Sequence, residues 1–328
     1  MTLSLSWALA LVVSCTDGTA TRDTGRAAEV IELDAPCRQG TVPGSECMTL
    51  EVTCEGLPPI QVAVQVSEPP EGVPVRKLLV VAGGGSGEQH WTHKDTETAL
   101  IDAGYRVLDR RWLEPWMTGE QGIQRTSCRF AALLRWAHVA HGQDLPLCAI
   151  GNSMGATEIA TVALTRPEAE LIDAAILSSG PTLTRLDLAC VPETDPGWAG
   201  QCETLTQDLG VCADALSECS VHDDPDSDIA DVIDLAFEGT PCRDSDPDRA
   251  DELLAESTWP TDGTGALPMP TELLFGANDC GNAAPFAALF AELSGAPTIT
   301  VDEGRHKLQS TPEGRAAISD SVERLCLK

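Results

Sequence analysis

The run Leu147-Cys148-Ala149-Ile150-Gly151-Asn152-Ser153-Met154-Gly155-Ala156 joins a short apolar stretch to a G-x-S-x-G pentapeptide and then to a helix-like segment. A serine hydroxyl is a poor nucleophile until geometry and a base activate it. On a strand–turn–helix elbow the serine sits on a sharp turn, and its oxygen projects above the sheet. Small residues at Gly151 and Gly155 let that turn close without a Cβ clash. The backbone N–H of Met154 then points at the space where an oxyanion forms. The chemistry such a pattern supports is attack of Ser153 on an acyl carbon.

An acid and a base follow downstream. Thr271-Glu272-Leu273-Leu274-Phe275-Gly276-Ala277-Asn278-Asp279 reads as a buried strand opening into a loop that carries Asp279. Thr298-Ile299-Thr300-Val301 is a β-rich run, followed by Asp302-Glu303-Gly304-Arg305-His306. Ser153, Asp279 and His306 therefore each follow an expected strand, and such carboxyl-end loops hold the functional groups of open parallel sheets. Of the six histidines, His306 alone lies beyond Asp279. His90, His93, His138 and His141 precede the serine, and His222 lies in an acidic, loop-like segment. Asp302 is the rival acid, close to His306 in sequence.

Lys77-Leu78-Leu79-Val80-Val81-Ala82 is an early apolar run ending in Gly83-Gly84-Gly85-Ser86-Gly87. A glycine-rich loop there lets a backbone N–H approach a developing oxyanion closely, so Gly84 and Gly85 are candidate donors beside Met154. A phosphate cradle is the competing reading. It lacks G-x-x-x-x-G-K-[ST] and a spaced G-x-G-x-x-G.

These motifs together resemble the α/β-hydrolase superfamily, of the serine esterase and lipase type. The resemblance spans about residues 48–328 and rests on Gly83–Gly87, the elbow at Gly151–Gly155, Asp279 and His306. It implies the α/β-hydrolase fold: a mostly parallel central sheet with helices on both faces and a disulfide-rich, acidic lid insertion. The nucleophile–acid–histidine order is that of the family. Ala82 departs from it, standing where many members carry a histidine before the oxyanion glycine.

Met1 to Ser14 are apolar and uncharged, too short to span a bilayer as a helix and suited to a secretory signal. The run ends in Val12-Val13-Ser14-Cys15, which resembles a bacterial lipobox and makes Cys15 the expected lipidation site; the alternative is a secreted protein in which Cys15 pairs or stays free. The n-region has no Lys or Arg. A polar tether to residue 35 follows, with an r.m.s. reach of roughly 25 Å. Thirteen cysteines leave twelve beyond Cys15, enough for six disulfides. With no C-x-x-C and no zinc spacing, a disulfide framework is expected rather than a metal site. The expected groupings are Cys37, Cys47, Cys54 and Cys326; Cys128 with Cys148; and Cys190, Cys202, Cys212, Cys219, Cys242 and Cys280. The last would tether the Asp279 loop to the insertion through Cys280.

The organisation expected is a signal peptide over 1–14, lipidated Cys15 and tether over 15–35, hydrolase core over 36–180, lid insertion over 181–265, and core again over 266–328. Met48 to Ser67 reads as a hairpin around Gly-Leu-Pro-Pro, and strands then alternate with helices, which implies a parallel sheet. Residues 181–265 break that rhythm with 21 Asp and Glu against three Lys and Arg, 18 of the chain's 30 net negative charges. The acidic run Asp223–Asp228 invites calcium but lacks the Gly and Glu of an EF-hand loop, so a solvated face is the default. Trp91, Trp112 and Trp116 fall in expected loops and either line an acyl or alcohol pocket or simply pack. A net charge of −30 argues against nucleic acid and polyanionic substrates.

The reading is an exported hydrolase of small-molecule or polymeric carboxylic esters, working through an acyl-enzyme without a cofactor or metal. Its only membrane contact would be the lipid anchor. A peptidase on the same fold and a non-catalytic surface lipoprotein are the alternatives.

Overall fold

Runs of β-branched and aliphatic residues bounded by Gly, Pro and Asp become strands wherever both of their faces can be covered. The computed structural model describes residues 28–35, 37, 42, 44–91, 94–212, 218–223, 228–259 and 266–326. The signal segment, Cys15 and most of the tether lie outside the described residues, as do Asp224 to Ser227 of the acidic run.

The strands are β1 (Glu29–Leu33), β2 (Glu46–Thr53), β3 (Ile60–Ser67), β4 (Lys77–Ala82), β5 (Tyr105–Trp112), β6 (Leu147–Asn152), β7 (Ala174–Ser178), β8 (Thr271–Gly276) and β9 (Thr298–Val301). The helices are α1 (Lys94–Asp102), α2 (Ile123–Thr126), α3 (Cys128–His141), α4 (Met154–Thr165), α5 (Leu186–Cys190), α6 (Trp198–Asp208), α7 (Ile229–Asp234), α8 (Ala250–Glu256), α9 (Ala283–Ser294) and α10 (Pro312–Ser321).

The nine strands of the described residues form one sheet in the order β1-β2-β3-β5-β4-β6-β7-β8-β9. β1, β2, β3 and β5 pair antiparallel in succession, whereas β5 through β9 are mutually parallel across the rest of the sheet. Strand alternation divides the core in two. Leu78, Val80 and Ala82 of β4 pack with α3 and α4 on one face, and Leu79 and Val81 pack with Leu100, Ile101 and Ile318 of α1 and α10 on the other. This is the α/β-hydrolase fold, with helices on both faces and an antiparallel edge. Its chain direction reverses at β4, whose connections run to β5 on one side while β6 lies on the other. The crevice above the carboxyl ends of β4 and β6 is therefore the place for a site.

Two local expectations are corrected. Glu29 to Leu33, read as tether, form the edge strand β1, because Val30 and Leu33 find partners in β2. Trp112 ends β5 rather than lying in a loop, and Trp91, Trp112 and Trp116 are all at most 1 % exposed, so they pack rather than line an open pocket.

Among the described residues six disulfides form: Cys37–Cys47, Cys54–Cys128, Cys148–Cys326, Cys190–Cys242, Cys202–Cys219 and Cys212–Cys280. The expected Cys128–Cys148 pair is wrong. Cys148 faces the α1 and α10 side together with Cys326, whereas α3, which starts at Cys128, covers the opposite face. Cys326 consequently leaves the Cys37 group. The insertion cysteines pair within their expected group, and Cys280 does reach Cys212 of the insertion.

Candidate active site

Ser153 stands between β6 and α4, as the residue before the first turn of α4, with φ 55° and ψ −122°. Residues with a Cβ visit this region at a cost, so surrounding contacts must hold it there. The Ser153 N–H donates to Ser178 O of β7 at 2.9 Å, and Ser153 O accepts from the N–H groups of Ala156 and Thr157. Gly155 makes the approach to β4 possible: a Cβ there would stand 2.2 Å from Ala82 O and 2.7 Å from Gly83 O.

Ser153 is 6 % exposed. Met154 is the first residue of α4, whose leading N–H groups have no intrahelical acceptor. Gly84 lies directly against the serine, since a Cβ at Gly84 would be 3.0 Å from Ser153 Cβ and 3.6 Å from its Oγ. Gly85 is turned outward and exposed, beside the Gln89 side chain. Of the two glycines, Gly84 is the one with its backbone at the serine.

Asp279 is buried in the loop after β8, and both its carboxylate oxygens lie 3.1 Å from His306 Nδ1. The aspartate thereby accepts from Nδ1–H and leaves Nε2 as the basic nitrogen. Asp302 is exposed in the turn after β9. The two loops are stitched together by backbone: Ala277 N–H donates to Val301 O at 3.0 Å and Asn278 N–H to Gly304 O at 2.9 Å.

The elbow and the histidine loop meet one residue from the serine. Asn152 Nδ2 donates to Ser178 O at 3.1 Å and to His306 O at 3.0 Å, while Asn152 Oδ1 accepts from Gln309 Nε2 at 3.2 Å. Gln309 Nε2 also lies 3.2 Å from Trp91 O, so it reaches the segment behind the glycine loop. Asn152 and Gln309 were not singled out from sequence. The available signal was an amide ending an otherwise apolar, buried strand, because such a group requires partners.

Behind the glycine loop lies a buried polar cluster. His90 Nδ1 is 2.9 Å from Asp109 Oδ2, and the Trp91 N–H donates to Asp109 Oδ1 at 3.1 Å. Glu97 accepts from Ser67 Oγ at 2.8 Å and Gln65 Nε2 at 3.2 Å. Burial, with the negative Asp109 nearby, pushes the Glu97 carboxyl up to about 7. On the other side of the loop, burial pushes Glu158 of α4 up to about 7, against the pull of Arg110 and the Trp112 indole.

The insertion touches the acid loop. Besides the Cys212–Cys280 bond, Cys212 N–H donates to Ala277 O at 2.9 Å, and the Asn282 N–H donates to Glu218 Oε2 at 3.1 Å. Trp198 of α6 stacks on Phe286 of α9 with ring centroids 5.2 Å apart. Among the described residues no group of His, Cys, Asp and Glu is arranged to hold a metal ion.

No protein-family model matches this sequence, and no curated protein does. Solved structures do align with it. Est1E from Butyrivibrio proteoclasticus is 16 % identical, with 85 % of this chain and 97 % of that one covered and a TM-score of 0.46. Thermogutta terrifontis esterase 2, phosphoramylated by tabun, is 14 % identical over 87 % and 96 % at 0.49. A highly thermostable carboxyl esterase from Bacillus coagulans, in complex with glycerol, is 13 % identical over 84 % and 96 % at 0.49. None of these similarities assigns a residue or an activity to this chain.

Proposed function

We propose that this protein is a serine hydrolase of carboxylic esters. The observation that carries the reading is the pairing of buried Asp279 with His306 on a loop hydrogen-bonded to the strained Ser153 elbow. Asp279 holds the His306 ring with Nδ1–H toward itself. Nε2 takes the Ser153 proton as Oγ attacks the ester carbonyl. The backbone N–H groups of Met154 and Gly84 hold the oxyanion, each such donor being worth about 2.7–4 kcal/mol of barrier lowering. Collapse expels the alcohol, protonated by His306. Water then attacks the acyl-enzyme, with His306 again as base.

The insertion over residues 181–265 acts in this reading as a cap that shapes entry to the serine, supported by its bond to the Asp279 loop. Six disulfides favour an oxidising compartment and hence export. No helix among the described residues is long and apolar enough to cross a membrane. Attachment through a lipid on Cys15 is the proposed link to one, checked by metabolic palmitate labelling lost in Cys15→Ser.

The test of the activity is hydrolysis of p-nitrophenyl acetate, butyrate and octanoate by the disulfide-bonded protein, with Ser153→Ala and His306→Ala beside it. Turnover and fluorophosphonate labelling that vanish in Ser153→Ala, with turnover also lost in His306→Ala, are expected. Turnover that survives both substitutions would refute the triad. Labelling without ester turnover would favour a peptidase, and neither would favour a binding protein.

A further inference from the structure

Arg110 and Glu158 form an ion pair that no step above uses, and both side chains are fully buried. Arg110 Nη2 and Nε lie 2.8 Å and 3.0 Å from Glu158 Oε2. A buried pair of this kind is weak evidence for stability, because desolvating both charges offsets most of their attraction. What distinguishes this one is where the remaining donors go. Nη1 donates to Gly87 O at 2.8 Å and Nη2 to Gly83 O at 3.1 Å. One guanidinium thus ties together both ends of the Gly83–Gly87 loop, the loop that lays Gly84 against Ser153.

The far end of the loop is fitted closely to the same partners. Gly87 has φ +90°, and a Cβ there would stand 2.5 Å from Trp112 Cδ1 and 3.1 Å from Glu158 Oε1. Glu158 Oε1 also accepts from Trp112 Nε1 at 3.0 Å. Trp112 N–H donates to Gly87 O at 3.1 Å and Trp116 N–H to Ser86 O at 3.2 Å. Glu158 itself belongs to α4, the helix that begins at the serine. The chain of contacts therefore runs from the glycine loop through Arg110 to Glu158 and along α4 to the elbow. A lysine, a single point charge on a flexible stem, cannot reproduce a planar fork that serves a carboxylate and two carbonyls together.

We infer that Arg110, oriented by Glu158, is a positioning residue that holds the glycine loop at the distance from Ser153 which oxyanion binding requires. It acts through Gly83 and Gly87 and touches no substrate, so it governs turnover rather than substrate affinity. The inference rests on the reading of Gly84 as an oxyanion donor.

The test replaces the pair by apolar groups of similar size, Arg110→Met with Glu158→Leu, so that no buried charge is left alone. Arg110→Lys serves as a second variant that keeps the charge and loses the fork. Each is followed by thermal unfolding, hydrogen exchange of the peptide spanning 83–91, and kcat and KM on p-nitrophenyl butyrate. The expected result is a folded protein, faster exchange in the loop, and kcat lower by about 10- to 100-fold with KM within about threefold. Arg110→Lys should shift both readouts in the same direction. Unchanged exchange in the loop overturns the inference, as does a folded variant with wild-type kcat. If the double variant does not fold, Arg110→Lys decides on the same criteria. Should wild-type protein neither cleave esters nor label at Ser153, the hydrolase reading and the effect on kcat fall together. Exchange at 83–91 then still decides whether Arg110 holds the loop.

Discussion

Replacing Asn152 by alanine removes two donated hydrogen bonds, to Ser178 O at 3.1 Å and His306 O at 3.0 Å, and one accepted from Gln309 at 3.2 Å. The site is 2 % exposed, so water does not readily replace the lost partner. At about 1 kcal/mol of net value per bond, with a further penalty for each buried group left unpaired, the cost in stability is about 3–4 kcal/mol. The effect on turnover is separable. His306 O is the direct link from the elbow to the histidine, and a misplacement of about 1 Å at a reacting group costs on the order of 100-fold. We expect kcat on p-nitrophenyl butyrate to fall by roughly 10- to 100-fold at a temperature where the variant is fully folded, and fluorophosphonate labelling of Ser153 to slow in parallel. Gln309→Ala should do part of the same. The double variant should cost less than the two singles together, because both remove one shared bond. An Asn152→Ala protein that loses stability as calculated but keeps kcat within twofold would refute the idea that this amide holds the histidine loop.

Gly155→Ala places a methyl group 2.2 Å from Ala82 O, so β4 or α4 must shift; a loss of about 1–3 kcal/mol in denaturant titration and a sharp drop in labelling rate are expected. Glu97 takes up a proton on folding, because its folded value of about 7 exceeds the unfolded 4.5. Its stabilisation is complete below pH 4.5 and is lost as pH rises through about 7, a change on the order of 3 kcal/mol. Unfolding free energies at pH 5 and pH 8 should therefore differ less in Glu97→Gln than in the wild type. Opening the Cys212–Cys280 bond by a double alanine substitution frees a loop of 68 residues, and should lower stability by about 4 kcal/mol while slowing ester turnover through Asp279. Wild-type kinetics in the folded double variant would mean that backbone contacts alone hold the acid loop.

Much of the architecture could be read in one dimension, because local pattern and strand period decide it. The apolar run of β4, the Gly-Leu-Pro-Pro hairpin between β2 and β3, and the alternation of strands and helices each depend on residues adjacent in the chain. The serine elbow is equally local. Gly151 is small because Ala156 of the same elbow folds back to within contact distance; only Gly155 answers to a distant neighbour, the passing backbone of Ala82 and Gly83. Position along the chain also favoured Asp279 and His306, since parallel strands send their loops to the same edge of the sheet.

Other features depend on which sheet face or neighbour a residue meets after folding. Cys128 and Cys148 lie 20 residues apart yet sit on opposite sides of the sheet, so proximity in sequence misled. Asp302 is nearer to His306 in sequence than Asp279, but the turn after β9 exposes it, while backbone bonds between loops bring Asp279 to the imidazole. Which of Gly84 and Gly85 lies against Ser153 depends on the conformation of a loop whose two ends hydrogen-bond to Arg110 of a different strand. Arg110, Glu158, Asn152 and Gln309 come from four separate elements and carry no shared motif. From sequence they are ordinary polar residues. Their partners are carbonyls and carboxylates that only the packed sheet and helices bring within hydrogen-bond reach, so tertiary structure alone gives them their roles.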